Sequence, residues 1–280
     1  MTFRLRMPRL AQPTGGKVGL IILGVVLLVA LLGPLVAPHD PNQPIGLPGE
    51  TPRAGAPLGT DGLGRDVLSR VLHGGLTVIG LGLAAAALSY LGGITIGLTA
   101  GYSRRLLDAV LMRGMDVLLA FPPLLFALVL VTGAGTGAGV LVLAVGLVQI
   151  PGISRIVRAA TLEVSVRGFV EAAAARGERM PAILGREILP NITAPVLADF
   201  GLRFTYAIVI IASMNFLGLG LTPPAADWGL MVAENRQFIS LNLWAVLAPA
   251  LMLALLTVAV NLVGDAHVKM LGRSSATGAR

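Results

Sequence analysis

Five long stretches of the chain carry no charged side chain, and they cover residues 18–38, 76–103, 117–154, 204–226 and 237–264. Each is long enough to cross a bilayer as a helix, because a core about 30 Å thick requires roughly 20 mainly apolar residues. Charged residues make up only 12% of the chain, about half of what a soluble globular protein carries. These features exclude a soluble enzyme and predict a polytopic membrane protein.

The third stretch is too long for a single span. Its middle, Thr132 to Gly139, is rich in glycine, which disfavours helix and suits a short turn. Splitting it there gives two spans, if the first begins near Ala109. The sequence therefore predicts an all-α fold with six transmembrane helices, at 18–37, 76–101, 109–131, 138–155, 200–220 and 243–264.

The basic residues predict the orientation of these spans. If the N-terminus is cytoplasmic, 17 of the 21 Lys and Arg residues lie on the inner side and only Arg53, Arg65, Arg70 and Arg236 lie outside. Such a bias places both termini in the cytoplasm. The predicted organisation is a cytoplasmic tail (1–17), a first span (18–37), an external loop (38–75), a five-helix core (76–264) containing a cytoplasmic segment (156–195), and a C-terminal tail (265–280).

Several kinds of chemistry are not supported by the residue inventory. The chain has no Cys and three scattered His, so it lacks thiolate sites and any histidine pair with ligand spacing. Hydrolase and Walker A motifs do not occur, and the excess of basic residues is explained by topology rather than by nucleic-acid binding. We expect no catalytic residues, no metal site and no cofactor in this chain.

The external loop combines a proline-rich, extended half with a polar half, Leu58 to Arg70. In the polar half, Asp61 is expected to cap a turn and Asp66 to start the helix that leads into the second span. A metal site formed by Asp61, Asp66 and His73 is the less favoured alternative, since acidic turn residues are more often caps. The second external connection, 222–242, contains Trp228, and Trp228 and Trp244 flank the span and are expected to anchor it at the membrane surface.

The cytoplasmic segment predicts a helix-turn-helix. Leu162, Val166, Phe169 and Ala173 recur at helical spacing, and Glu163, Arg167 and Glu171 follow each other at i, i+4 beside them. The first helix should stop near Gly177, and a second, with Ile183, Leu184 and Ile188 on its apolar side, should run from about Pro181 to Pro190. Such a unit suits either the inner leaflet or a groove on a cytoplasmic protein.

Three motifs carry a resemblance to a known family. Glu171-Ala-Ala-Ala-Ala-Arg-Gly177, followed by Ile188-Leu-Pro-Asn191, resembles the EAA loop of permease subunits of binding-protein-dependent ABC importers. The polar half of the external loop and the stretch from Asn215 to Gly220, with Pro223 and Trp228, resemble the peptide/nickel (DppC/OppC-type) branch. The chain departs from the usual loop pattern at Glu187, three residues before Pro190, where an apolar residue is common.

The resemblance implies a type I ABC importer permease fold and a set of partners. These are a homologous permease of the DppB/OppB type, two ATPase subunits that bind ATP and Mg, and an external binding protein that delivers di- or oligopeptides or a related solute such as a nickel chelate. The implied location is the bacterial inner membrane. The alternative function is that of a stand-alone secondary transporter or channel. The coupling residues are expected to be Glu171, Ala172, Ala173, Gly177, Ile188, Leu189 and Pro190.

Two further groups of residues complete the expected sites. Polar side chains within spans are the candidates for the translocation pathway, because they are costly in lipid; these are Gln149, Tyr206, Ser213, Asn215 and Asn261. Asp199 and Arg203, four residues apart, should form an ion pair at the inner end of the fifth span. The external motif consists of Asp61, Gly64, Arg65, Asp66 and Arg70.

Overall fold

The computed structural model describes residues 14–103 and 105–277, with the side chains of 15–103 and 105–266. The outer parts of both predicted tails, 1–13 and 278–280, lie outside the described residues. Helices account for most of the described chain, which contains no β-strand. The principal helices are α1 (Thr14–Val36), α2 (Val67–Tyr102), α3 (Arg105–Leu119), α4 (Pro123–Ala134), α5 (Ala138–Ser165), α6 (Gly168–Ala175), α7 (Met180–Ala182), α8 (Leu189–Phe216), α9 (Trp228–Asn235) and α10 (Trp244–Thr277).

Among the described residues, five helices are long and apolar enough to span a membrane, and α3 with α4 would make a sixth if they formed one span. The prediction of a continuous third span over 109–131 is wrong, because α3 and α4 are bent by 88° relative to each other. The break covers residues 120–122 and ends within the Pro122-Pro123 pair. Proline removes a backbone donor and pushes the preceding residue out of the helical region, so the pair ends α3.

Several helices extend beyond the spans predicted from hydropathy. Helix α2 starts at Val67 rather than 76, α5 continues ten residues past 155, and α10 runs through the predicted tail to Thr277. The start of α1 at Thr14 likewise shortens the N-terminal tail. Hydropathy marks the part of a helix inside the hydrocarbon, whereas the backbone hydrogen bonds continue until a cap or a breaker ends them.

One compact unit comprises residues up to Leu76 together with those from Asn235 onward. Within it, α1 packs along α10, and Val26, Ala30 and Ala259 are fully buried. Close approach depends on glycine, since a Cβ on Gly19 would lie 2.7 Å from the Cβ of Leu262. The external loop belongs to this unit.

The second compact unit comprises Thr77 to Glu234 and is centred on α5. Helices α3, α4 and α8 all pack against α5. Several α2 glycines face α5 side chains, with a Cβ on Gly93 placed 2.5 Å from Ile153 and one on Gly97 placed 2.6 Å from Val157. Glycine at these positions allows α2 and α5 to pack closely.

Candidate functional site

The helix-turn-helix predicted from the sequence is present after α5, and we call residues 166–188 the connector. Helix α6 ends at Ala175, where Gly177 adopts a positive φ of +78°. The Gly177 amide donates to the carbonyl of Ala174 at 3.0 Å, and the Glu178 amide donates to that of Ala173 at 3.2 Å. These two bonds form a Schellman motif, which reverses the chain and explains the need for glycine.

The inner side of the connector is apolar and buried. Val170, Ala173, Ile183 and Ile188 are 2% exposed or less, and they pack with residues of α2, α5 and α8 in one cluster. Ala173 and Ile188, both predicted as coupling residues, therefore hold the connector against its own unit.

The predicted apolar face of the first helix is wrong in detail. Leu162 lies on α5 and Phe169 on α6, because α5 ends at Ser165 and α6 begins at Gly168. Val166, in the break between them, is 73% exposed. The break shifts the helical register, so Val164 and Val170 are buried, and of the four predicted residues only Ala173 lies on the buried side.

The outer side of the connector presents small and charged side chains. Glu171, Ala172 and Gly177 are all exposed. Just beyond the connector, Leu189 is half-buried and Pro190 is exposed. A Cβ on Gly177 would meet no atom within 4 Å, so its requirement for glycine comes from its backbone angle and not from close packing. Arg167 binds Glu163 at 3.2 Å, and Arg176 binds Glu178 at 2.6 Å.

The connector passes directly into the next span. Pro190 does not end the second helix as predicted, because residues Ile183–Ile188 form a π-helical turn in which the Leu189 amide donates to the carbonyl of Leu184. The wider turn relieves the clash and the missing donor that a proline imposes on an α-helix. Met180–Phe216 is therefore one continuous helical stretch of 37 residues, which is longer than the predicted fifth span, 200–220.

A polar cluster ties this stretch to two neighbouring helices. Arg203 Nε binds Asp199 Oδ2 at 2.8 Å, which confirms the predicted ion pair, and the Tyr90 hydroxyl on α2 donates to the same oxygen at 3.2 Å. The Arg203 guanidinium also lies over Gly152 on α5, where an added Cβ would be 2.6 Å from Nη1. Charged groups within membrane spans usually have a functional role. This cluster joins α2, α5 and α8.

The candidate pathway residues differ in their surroundings. Ser213 donates to its own helix at the Val209 carbonyl, 2.7 Å away, and Tyr206 is 53% exposed. Gln149 is buried on α5, and neither of its amide atoms has a hydrogen-bond partner among the described residues. Asn261 is half-buried on α10, in the other compact unit.

Asn215 is fully buried and fastens the chain after α8. Its amide nitrogen donates to Asp227 Oδ1 at 2.7 Å, and its oxygen accepts from the Leu221 amide at 2.7 Å. Burial raises the pKa of the Asp227 carboxyl, and the bonds from the Leu230 amide, Asn215 and the Gly229 amide only partly oppose this shift. A structural role thus accounts for both polar groups of the Asn215 side chain.

The prediction that Trp228 anchors at the membrane surface is wrong, because its side chain is 0% exposed. Trp228 begins α9 and lies inside the folded unit. Trp244 at the start of α10 is 40% exposed.

The external motif forms a buried ionic cluster in the first unit. Asp61 accepts from the Leu63 and Arg65 amides at 2.9 Å and pairs with the Arg65 side chain at 2.6 Å and with Arg70 at 3.5 Å. Asp66 accepts from the Ser69 amide at 3.0 Å, which confirms it as the cap of α2. Gly64 has a φ of +77° and lies against the Gly46 carbonyl.

The described residues contain no group of three acidic or histidine side chains arranged to hold a metal. In the external motif, the carboxylates of Asp61 and Asp66 are instead directed at arginines, backbone amides and Ser69.

Sequence reasoning missed the contacts that join distant segments. Asn242 donates to the Leu58 and Thr60 carbonyls at 2.9 and 3.0 Å, and Arg158 binds Asp108 through two bonds of 2.5 and 2.6 Å. Tyr90 was also missed, since its partner Asp199 is 109 residues away. The only sequence signal for these contacts is the presence of opposite charges at the ends of neighbouring spans.

Family models match most of the chain. The model described as "Binding-protein-dependent transport system inner membrane component" matches residues 93–275, and the one described as "N-terminal TM domain of oligopeptide transport permease C" matches residues 4–48. The chain belongs to the binding-protein-dependent permease family. The EAA-like segment of the permease, Glu171 to Gly177, lies within the first match.

Several curated relatives are similar to this permease over most of its length. It is 37% identical to the di/tripeptide transport system permease protein DppC of Pseudomonas aeruginosa, over 91% of this chain and 86% of that protein. It is 34% identical to the dipeptide permease DppC of Haemophilus influenzae (91% and 88%) and to the glutathione permease GsiD of Pectobacterium atrosepticum (91% and 85%). An amino acid ABC transporter crystallised with histidines shares the fold, with 16% identity and a TM-score of 0.51 over 70% of this chain and 91% of that chain.

Proposed function

We propose that this permease is the transmembrane subunit of an ATP-driven importer, in which the connector receives the movement of an ATPase subunit on the cytoplasmic side. The permease forms the translocation pathway with a second, homologous permease of the DppB/OppB type, and an external binding protein delivers the solute. ATP and Mg act in the ATPase subunits, and this chain is not itself a catalyst. Both termini lie in the cytoplasm of a bacterial cell, as the distribution of basic residues indicates.

The observation that carries the proposal is the two-sided construction of the connector. Its buried side fixes it to the span bundle through Val170, Ala173, Ile183 and Ile188. Its exposed side presents Glu171 and Ala172 on α6, ahead of the Schellman turn. A docking element needs both properties, because a loosely attached segment would move without displacing the helices behind it.

The route from the connector into the membrane is helical throughout. A push on α6 acts on the π-helical turn through Ala173 and Ile188, which belong to one apolar cluster. The turn is continuous with α8, and the Tyr90–Asp199–Arg203 cluster connects α8 to α2 and, over Gly152, to α5. Movement of the connector would therefore tilt three helices together, as a shift between inward-open and outward-open states requires.

The relatives indicate a peptide cargo. Two of them are named as dipeptide or di/tripeptide permeases and one as a glutathione permease, and glutathione is itself a tripeptide. We infer that the pathway accepts short peptides, and that Gln149 and Tyr206 line it, since their polar groups are not engaged in the contacts that occupy Ser213 and Asn215.

Reconstitution with the second permease, the ATPases and the binding protein tests the coupling role. Ala172→Trp adds a large side chain to the exposed side of α6 without touching its buried side. We expect peptide uptake to fall at least tenfold, while the complex loses the stimulation of ATP hydrolysis by the loaded binding protein. Ala109→Trp, at an exposed alanine of α3 in the same unit, is the matched control and should transport normally.

Normal uptake by Ala172→Trp at normal membrane levels would refute the docking role of the connector. Uptake by vesicles that contain this permease without any ATPase would refute the importer proposal itself and favour a secondary transporter.

A further inference from the structure

The broken helix pair α3–α4 carries an inference that does not depend on the coupling role. Helix α4 has 12 residues and so extends about 18 Å, which is too short to cross a hydrocarbon core of about 30 Å. Helix α3 is bent from it by 88°. If α4 runs along the membrane normal beside α5, α3 must run nearly parallel to the membrane plane.

Two ion pairs set the depth of α3. Asp108 binds Arg158 at 2.5 Å, and Asp116 binds Arg155 at 2.6 Å. Arg155 and Arg158 follow the first residue of α5, Ala138, by 17 and 20 positions, which corresponds to about 26 and 30 Å along the helix. With the start of α5 outside, α3 is attached at the inner boundary of the hydrocarbon.

The ion pairs also fix which side of α3 faces away from α5. Leu106, Val110 and Val117 lie within about 40° of one another around the axis, about 160–180° from Asp108 and about 80–120° from Asp116. They are 78%, 61% and 62% exposed, and α3 has no buried side chain. Exposing an apolar face of this size to water would be unfavourable.

The charges of α3 match an anionic membrane surface. Its two acidic residues, Asp108 and Asp116, are paired with arginines of α5, whereas Arg113 is exposed and lies within about 60° of the apolar residues Leu106, Val110 and Val117 around the axis. The face presented outward is thus apolar and carries a basic side chain. This combination is typical of helices that lie in the interface of an anionic leaflet, with apolar side chains among the acyl chains and arginines at the phosphates.

We propose that α3 is an in-plane helix of the inner leaflet, and that lipid acyl chains occupy its face of Leu106, Val110 and Val117. The third membrane crossing is then made by α4, about 18 Å long, together with the thickness of α3, about 10 Å, at the cytoplasmic side. The two ion pairs hold α3 against α5 from the side.

Nitroxide labels test this proposal without interference, because the chain has no Cys. Leu106→Cys and Val117→Cys are labelled in the assembled transporter in vesicles containing anionic lipid, and their depths are measured from collisions with oxygen and with a water-soluble nickel chelate. An in-plane helix places both labels at one shallow depth, to within about 3 Å. A membrane-crossing helix would separate them by about 16 Å, the rise of 11 residues.

Two further labels calibrate the measurement. Val129→Cys on α4, 65% exposed, should report deep lipid, and Glu163→Cys, exposed near the end of α5, should report water. Frequent collisions with oxygen and an equal, shallow depth for the labels at 106 and 117 support the proposal. Depths that differ by about 16 Å, access by the nickel chelate as high as at 163, or exclusion of both reagents by a covering protein would each overturn it.

If a labelled variant fails to assemble, Val110→Trp gives an independent measurement. Shallow-brominated lipids should quench its fluorescence more than deep-brominated lipids, and the reverse order would contradict the in-plane placement.

Discussion

Gly152 allows the Arg203 guanidinium to reach across from α8 to α5, and replacing it with alanine tests the polar cluster. The new Cβ would lie 2.6 Å from Nη1, 2.7 Å from Nη2 and 2.9 Å from Cζ of Arg203. The guanidinium must therefore move away by several tenths of an ångström. Because Arg203 Nε is held at 2.8 Å by Asp199, this movement strains the charge-assisted bond.

Gly80→Ala on α2 is the matched control, since a Cβ there would meet nothing within 4 Å. Both substitutions gain about 1 kcal/mol of intrinsic helix propensity, so this contribution cancels when the variants are compared. The remaining difference is the strain on the Asp199–Arg203 bond, whose complete loss would cost about 1.5 to 3 kcal/mol for a hydrogen bond to a charged group. Gly152→Ala should therefore be less stable than Gly80→Ala, by up to that amount.

Equilibrium unfolding in mixed micelles measures this difference, and peptide uptake measures its functional consequence. We expect Gly152→Ala to lower uptake per ATP hydrolysed while Gly80→Ala leaves it unchanged. Adding Arg203→Lys to Gly152→Ala should recover part of the lost stability, because lysine is narrower and can still reach Asp199. Equal stability of the two alanine variants would refute the inferred contact over Gly152.

Three further predictions concern other parts of the chain. Asp227→Asn should flatten the pH dependence of stability. Because burial raises the pKa of Asp227, the stability that its carboxyl contributes is present below about pH 4 and is lost as the pH rises through the raised pKa. Unfolding measured between pH 4 and 7 gives the slope. Gly177→Val should destabilise the connector by about 1 to 2 kcal/mol because valine is strained at a φ of +78°, whereas Gly177→Asn should be tolerated, as proteolysis after Arg176 and Arg179 would report. Asn242→Ala should cost about 1 to 3 kcal/mol by removing the donors to the Leu58 and Thr60 carbonyls, and faster proteolysis of the external loop would show it.

The sequence allowed the spans and the connector to be predicted because their signals are local. A run of apolar residues, a glycine after a helix and an aspartate before one act within a few positions, and α6, Gly177 and Asp66 lie where these signals place them. The π-helical turn was not predictable, since Pro190 alone indicates a helix end. Its accommodation depends on the buried packing of Ile183 and Ile188.

The polar cluster and the ion pairs of α3 depend instead on tertiary structure. Tyr90 and Asp199, or Asp108 and Arg158, are brought together by the packing of α2, α3 and α8 around α5. Hydropathy also failed at α3, because an in-plane amphipathic helix and the first half of a span have similar composition. The 88° bend depends on the position of Pro122 and Pro123 relative to α5. This position is known only from the folded structure.

Crosslinking from the exposed side of α6 tests the central claim most directly. In the assembled transporter, a photoreactive group attached through Ala172→Cys, the only cysteine in the permease, should crosslink to an ATPase subunit, and ATP binding should change the yield. Crosslinks to lipid alone, with the ATPases present and active, would contradict the role of the connector.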